Sequence, residues 1–188
     1  GLTAECSFVV TVTDNEAPTI VCPDDISVNN DVGVCGAAIT FATPTGDDNC
    51  AVASVTQTAG PISGSVFPIG PTTVTFEVTD SAGLTAECSF VVTVTDNEAP
   101  VGSAPIGVVD VDVCSADAQA SYPFVASTVA GNYLDNCSGA VTVNLTNISQ
   151  TGDSCGWTLV YTYEVVDGSG NKLEGETITH TGSDQTDP

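Results

Sequence analysis

The sequence predicts an all-β protein made of tandem immunoglobulin-like β-sandwich modules that are stapled by disulfides. Three observations support this fold class: short Thr- and Val-rich runs alternate apolar and polar side chains, one long segment occurs twice, and eight cysteines stand singly along the chain. Residues 1–18 and 83–100 share the sequence GLTAECSFVVTVTDNEAP without a change. Such identity indicates duplication of a module of about 82 residues, as found in tandem arrays.

The alternation marks the individual strands. Residues 73–79 and 89–94 place an apolar side chain at every second position, and residues 157–165 do the same with larger side chains. A period of two is that of a half-buried strand. Clusters of Gly, Pro, Asn and Asp, such as NNDVG and TPTGDDN, supply the turns between the runs. We therefore expect roughly six or seven strands in the first module, and Trp157 in the core of the second.

Weaker repeats define the second module. The motif DDNC at 47–50 reappears as LDNC at 134–137, and TFEVTDSAGL reappears as TYEVVDGSGN. We therefore interpret residues 19–100 as one Ig-like domain and residues 101–188 as a diverged Ig-like domain. Residues 1–18 then form the last strand of a preceding module, or a donor strand for another molecule.

Charge and cysteine usage limit the classes of function. The chain carries 24 acidic residues and one basic residue, Lys172. This balance repels phosphate groups, so we expect no nucleic-acid partner and no direct membrane insertion. Singly spaced cysteines favour disulfides over zinc, and disulfides persist in oxidising space. We therefore expect a secreted or cell-surface protein, either in an extracellular filament or at the cell surface.

A family resemblance follows from motifs spread over residues 17–100. The runs CPDDISV, GVCGAAITF, DDNC, FPIGPTTVTFEVTDSAG and ECSFVVTVTDNEAP occur in an order that resembles the hyalin repeat, or HYR domain. The resemblance implies an Ig-like fold found in extracellular adhesive proteins of animals and in long bacterial surface adhesins, of which we favour the bacterial source. Residues 101–188 are similar to the Ig-like modules that accompany such repeats.

Strand order then favours particular disulfides. If the strands on either side of NNDVG form a hairpin, Cys22 lies opposite Cys35, and the loops at the N-terminal end of the module bring Cys50 to Cys88. By the same argument we expect Cys114 to pair with Cys155 in the second module. The partner of Cys137 stays open, because the second module holds three cysteines, and we expect that of Cys6 in a preceding module.

Acidic residues at the two module junctions are candidate calcium ligands. Calcium takes six to eight oxygen ligands in a flexible shell, and the TDNEAP linker looks like the calcium linker of cadherins. The alternative is that Asp and Asn only cap turns and solvate loops. The candidate ligands are Asp14, Asn15, Glu16, Asp47, Asp48 and Asp80 at the first junction, and Asp96, Asn97, Glu98, Asp135, Asn136 and Asp167 at the second.

These features favour a structural or adhesive repeat segment of a long extracellular fibre, joined to neighbouring modules or copies of itself. Two alternatives stay open: a self-polymerising subunit that uses residues 1–18 as a donor strand, and a module that binds a surface glycan or protein. We expect no enzyme, because His180 has no Ser or Cys constellation around it in the sequence. Weak glycosylation motifs occur at Ser81, Asn136, Asn144 and Asn147.

Overall fold

The computed structural model describes residues 1–137, 139–153 and 156–185. They form two compact units, residues 1–28 with 37–94 and residues 29–36 with those from 95 onward. The first strands are β1 Thr19–Ile20, β2 Ile26–Asn29, β3 Ala37–Ala38, β4 Gly46–Asp47, β5 Val52–Ala59, β6 Val66–Phe67, β7 Gly70–Asp80 and β8 Thr85–Thr95. The later ones are β9 Val101–Gly102, β10 Val111–Asp112, β11 Tyr133–Leu134, β12 Thr142–Asp153, β13 Gly156–Val166 and β14 Lys172–Ser183.

The first unit is a small β-sandwich. Its main sheet has the order β2-β8-β7-β5, and two-stranded sheets pair β1 with β4 and β3 with β6. The alternation predicted for residues 73–79 and 89–94 is confirmed, because Val74, Val78 and Val92 are 0% exposed. Phe67 of β6 packs in the same core, so the short strands cover one face of the main sheet.

One disulfide joins Cys22 to Cys88, with 5.6 Å between the Cα atoms. The predicted pairs Cys22–Cys35 and Cys50–Cys88 are therefore wrong. The prediction assumed a hairpin across NNDVG, whereas β2 lies beside β8 and β3 pairs with β6. Cys22, which precedes β2, therefore meets β8 rather than the next strand along the chain. Cys35 and Cys50 are exposed thiols.

The second unit is built on the sheet β10-β14-β13-β12 with a small sheet of β9 and β11. Along β13 the residues Trp157, Leu159, Tyr161, Tyr163 and Val165 are all at most 3% exposed. This confirms both the predicted alternation and the core position of Trp157. Three short helical segments precede β11: a 3-10 turn Ser115–Asp117, α1 Ala118–Ser121 and α2 Ala126–Ala130.

Residues 3–13 contain no strand, although their sequence equals that of β8. Phe8, Val10 and Val12 are 86%, 72% and 90% exposed, whereas their counterparts Phe90 and Val92 are buried. The module boundaries proposed at residues 18 and 100 stay a prediction. Within the described residues, no helix is long and apolar enough to cross a membrane.

Candidate functional site

Three aspartates meet at one end of the first unit, and we call Asp14, Asp48 and Asp80 the first acidic cluster. Oxygen atoms of Asp14 and Asp48 and the Cys50 sulfur lie within 4.8 Å of one another. Asp80 ends β7 and is the ladder partner of Val52, which places it beside the same loop. The linker, the loop after β4 and the end of β7 therefore converge here, as the sequence predicted.

In each carboxylate of the first acidic cluster, one of the two oxygens accepts hydrogen bonds from backbone amides. Asp80 Oδ1 accepts the Leu84 amide at 2.8 Å, and Asp48 Oδ1 accepts the amides of Cys50 and Ala51 at 2.9 and 3.0 Å. The second oxygens of Asp14, Asp48 and Asp80 are buried, and among the described residues they have no hydrogen-bond partner. Leaving a buried carboxylate oxygen unpaired is costly, so this arrangement fits a bound cation.

The second unit repeats the arrangement with Asp96, Asp135 and Asp167, which we call the second acidic cluster. All three are buried, at 4%, 8% and 7% exposed. Oxygen atoms of Asp96 and Asp135 lie within 4.8 Å of each other and of the Cys137 sulfur. Asp167 Oδ1 accepts the Asn171 amide at 2.8 Å, four residues on, just as Asp80 accepts Leu84.

Two polar residues of the second cluster were missed by the sequence analysis. Ser169 Oγ donates to Asp96 Oδ2 at 2.9 Å, and Asn171 Nδ2 donates to Asp167 Oδ2 at 2.8 Å. A sequence difference could have revealed them, because the turn at 167–171 reads DGSGN where the first module has DSAGL at 80–84. The second cluster is therefore better hydrogen-bonded than the first, with protein donors on both oxygens of Asp167.

Glu98 binds several amide groups within the second unit, and we call its contacts the Glu98 clamp. Its carboxylate accepts the Asn30 side-chain amide at 2.8 Å, the Gly33 backbone amide at 2.9 and 3.0 Å, and the Asn136 side-chain amide at 2.6 Å. Asn97 donates its backbone amide to Asn30 Oδ1 at 3.0 Å. Glu98 and Asn97 therefore bind the 29–36 loop here, and the Glu98 carboxylate is not part of the second acidic cluster.

The first junction has an equivalent of the Glu98 clamp. Asn49 Nδ2 donates to Glu16 Oε2 at 2.6 Å, the same distance as between Asn136 and Glu98. Asp47 lies in β4, where its carbonyl accepts the Thr19 hydroxyl at 3.2 Å, and its side chain is exposed. Asn15 is also exposed. Of the candidate ligands, the structure brings the Asp14, Asp48 and Asp80 side chains together and leaves these two outside.

The thiols of the junctions lie beside carboxylates. The Cys50 thiol hydrogen-bonds to Asp14, which raises its pKa. Burial and a hydrogen bond between the Cys137 and Cys35 thiols raise the pKa of Cys137. Cys114 donates to Asp184 at 3.4 Å, whereas Cys155 lies outside the described residues, so their pairing stays a prediction. Cys6 is exposed.

His180 has a structural setting. Its Nδ1 accepts the Val108 amide at 3.1 Å, its ring stacks on Tyr122, and burial lowers its pKa. The cleft beside it holds about 170 Å³ and is lined by apolar residues such as Phe124 and Ile178. This is smaller than the roughly 300 Å³ at which small-molecule sites begin. The cleft is therefore smaller than a typical small-molecule site, and binding of a surface glycan or protein stays a prediction.

The candidate glycosylation residues lie at exposed positions. Ser81 is in the turn between β7 and β8, and Asn144 and Asn147 lie on β12. The Asn144 side chain donates to Glu164 at 3.1 Å, and that of Asn136 belongs to the Glu98 clamp. Their modification stays a prediction.

Known proteins similar to this chain agree with the predicted repeat. Residues 13–94 match the HYR domain family. The chain is 33% identical over 194 residues to hyalin of Strongylocentrotus purpuratus, an alignment that covers 97% of this chain and 15% of that protein. It is 37% identical over 89 residues to the sushi, von Willebrand factor type A, EGF and pentraxin domain-containing protein 1 of Rattus norvegicus, covering 47% of this chain and 2% of that protein.

Among solved structures, the protocadherin GammaB4 extracellular domain is similar with a TM-score of 0.39 and 16% identity, covering 89% of this chain and 34% of that chain. The two sequence relatives come from animals, so the expected bacterial source gains no support from them. The Cys22–Cys88 disulfide and the relatives place the protein outside the cell or on its surface. The chain is therefore an extracellular repeat protein whose residues 13–94 are similar to the HYR domain family.

Proposed function

We propose that this chain is a non-catalytic, adhesive segment of a longer extracellular protein, in which modules join end to end through junctions that bind Ca²⁺. The observation that carries the proposal is the repeated acidic cluster. In the first unit it leaves three buried carboxylate oxygens without a partner among the described residues. The function of the segment is then mechanical, because stiff junctions keep an array of modules extended.

Calcium suits the oxygen donors of these clusters. The clusters offer carboxylate oxygens, which Ca²⁺ prefers, and backbone and amide oxygens of the same loops can complete a flexible shell. Asp14, Asp48 and Asp80 would hold the ion at the first junction, and Asp96, Asp135 and Asp167 at the second. A formal charge of −23 further favours cation binding. The bound ion would remove the repulsion between carboxylates that lie within 4.8 Å of each other.

Calcium should raise the melting temperature of both units. Extracellular modules bind Ca²⁺ with a Kd of about 10⁻⁴ to 10⁻³ M, so about 10 mM CaCl₂ should stabilise each unit by about 2 kcal/mol. For domains of this size that corresponds to a rise of about 10 °C. Calorimetry follows both units, and the fluorescence of Trp157, the single tryptophan, follows the second.

Paired variants test the ligand assignment. Asp48→Asn with Asp80→Asn should abolish the rise of the first unit only, and Asp135→Asn with Asp167→Asn that of the second only. Asp24→Asn, an exposed acid away from both clusters, should change neither. A full calcium response in both double variants would refute the calcium assignment while leaving the repeat architecture intact.

A second candidate function, self-assembly by donor strand, is favoured by the exposure of residues 1–12. By correspondence with β8, Phe8, Val10 and Val12 would face the core of the completed module, and Ser7 would face solvent. If the strand is donated between molecules, sedimentation should show mass increasing with concentration. Val10→Lys should then abolish assembly and Ser7→Lys should not. A concentration-independent monomer would leave residues 1–12 as a strand of a module within the same chain.

A further inference from the structure

The 29–36 loop is built as a rigid plug. Asn30, which is 7% exposed, donates its side-chain amide to the Val34 carbonyl at 3.1 Å, and the Asp31 amide donates to the Gly36 carbonyl at 2.7 Å. Gly33 adopts φ +72°, a left-handed conformation that favours glycine. This loop lies between β2 and β3 in the sequence, yet it packs with the second unit.

The plug forms one wall of a groove of the second unit. The groove is lined by Gly33 of the plug together with Glu98, Ala99, Val101, Leu134 and Asn136. The Glu98 clamp binds the plug on one side and Asn136 on the other, and the next residue, Cys137, contacts Cys35 through its thiol. The hydrogen bonds of the Glu98 clamp, none of which involves sulfur, therefore bring the Cys35 and Cys137 thiols together.

The first unit carries the same groove without a plug. Its lining is Glu16, Ala17, Thr19, Asp47, Asp48 and Asn49, and five of these correspond by the sequence repeat to the five lining residues of the second groove outside the plug. Its volume is about 280 Å³, against about 120 Å³ for the groove that Gly33 lines. Cys50 follows Asn49 just as Cys137 follows Asn136, and it is an exposed thiol.

We propose that successive modules are coupled by a plug-and-groove contact that is locked by a disulfide: Cys35 bonds to Cys137, and the groove beside Cys50 receives the equivalent plug of the module that residues 1–12 complete. Both cysteines belong to the second unit, so the Cys35–Cys137 bond fixes the 29–36 loop covalently beside the groove of that unit. This inference rests on the end-to-end arrangement proposed above.

The bond forms by exchange with a small external disulfide. One cysteine thiolate attacks this oxidant, which releases one small thiol and leaves a mixed disulfide on the protein. The second thiolate attacks the protein sulfur of that mixed disulfide, which releases a second small thiol and forms the bond between Cys35 and Cys137. The two cysteines lose two protons and two electrons, and the small disulfide is reduced to two thiols.

Disulfide mapping tests the first half. After oxidation with a low-molecular-weight disulfide, the chain is alkylated, digested without reduction by a protease that cuts at acidic residues, and sequenced by mass spectrometry. We expect a peptide that links Cys35 to Cys137, with Cys50 alkylated. Glu98→Gln should slow formation of the link, and Glu87→Gln, an exposed acid on β8, should not. Recovery of Cys35 and Cys137 as alkylated thiols, or in other pairs, would overturn the lock.

A plug peptide tests the second half. A backbone-cyclised peptide of residues 28–37, activated at its cysteine as a mixed disulfide, is offered to the oxidised chain. Relative to a small activated disulfide, which corrects for intrinsic reactivity, it should label Cys50 at least about tenfold over the exposed Cys6, because docking raises the local concentration.

Variants locate the docking. Glu16→Gln in the chain should remove the preference for Cys50, as should the peptide change Gly33→Ala, whereas Glu5→Gln should leave it. Equal labelling of Cys50 and Cys6 by the parent peptide would overturn the docking site. The calcium titration measures the melting of the chain without the peptide, so a failed peptide experiment and a failed calcium assignment are distinguishable.

Discussion

Cys22→Ala together with Cys88→Ala should destabilise the first unit by about 4 kcal/mol, since the disulfide spans 66 residues of sequence and removes that much loop-closure entropy from the unfolded chain. Domains of this size have a total stability of roughly 5–15 kcal/mol. Both cysteines also pack against the core, where alanine leaves a small void. We therefore expect the first unit of the variant to melt near or below 37 °C.

Urea unfolding followed by circular dichroism measures this change, because the second unit supplies an unaffected reference transition in the same sample. Cys6→Ala is the matched control, since Cys6 is exposed and outside the disulfide. The pair predicted from sequence, Cys22–Cys35, would close a far shorter loop and contribute about 3 kcal/mol. An unchanged midpoint in the double variant would show that Cys22–Cys88 does not staple the unit.

Trp157→Ala should destabilise the second unit by about 3–5 kcal/mol. The indole is 3% exposed in the core formed along β13, and its Nε1 donates to the Val113 carbonyl at 2.7 Å. Removal of the ring creates a large cavity and leaves that carbonyl without its donor. Because Val113 follows β10, the edge of the sheet should loosen as well as the core.

Trp157→Phe separates the two contributions. It keeps most of the buried apolar volume but removes the donor, so its cost should be about 1–3 kcal/mol. Both variants lack the tryptophan signal, and circular dichroism again gives two transitions. The first should stay fixed while the second moves. Equal costs for the alanine and phenylalanine variants would mean that the hydrogen bond, rather than ring packing, stabilises this region.

Local patterns were sufficient for much of this molecule. The two-residue alternation along β7, β8 and β13 is set by the pleat of a strand, so the buried positions could be read from the sequence. The junction acids were found for a similar reason. Asp14, Asp48 and Asp80 stand at the ends of elements, and an Ig-like topology gathers those ends at one side of a module.

Pairings between distant strands could not be read in the same way. The order β2-β8-β7-β5 decides that Cys22 meets Cys88, and no local signal around NNDVG distinguishes that order from a hairpin. Antiparallel neighbours are chosen by burial across the whole sandwich rather than by the turn alone. The prediction failed because it paired strands that are neighbours along the chain. Cys22 and Cys88 meet because β2 and β8 are neighbours in the sheet.

The sequence by itself determined the all-β class, the duplication, the acidic junctions and the extracellular setting, because composition and short-range periodicity encode each of them. Tertiary structure alone decided which cysteines meet, which acids keep a bare oxygen, and that Glu98 binds a loop rather than joining the cluster. Those properties depend on contacts between residues such as Gly33 and Glu98, which lie 65 positions apart. Only the folded chain brings them within hydrogen-bond distance.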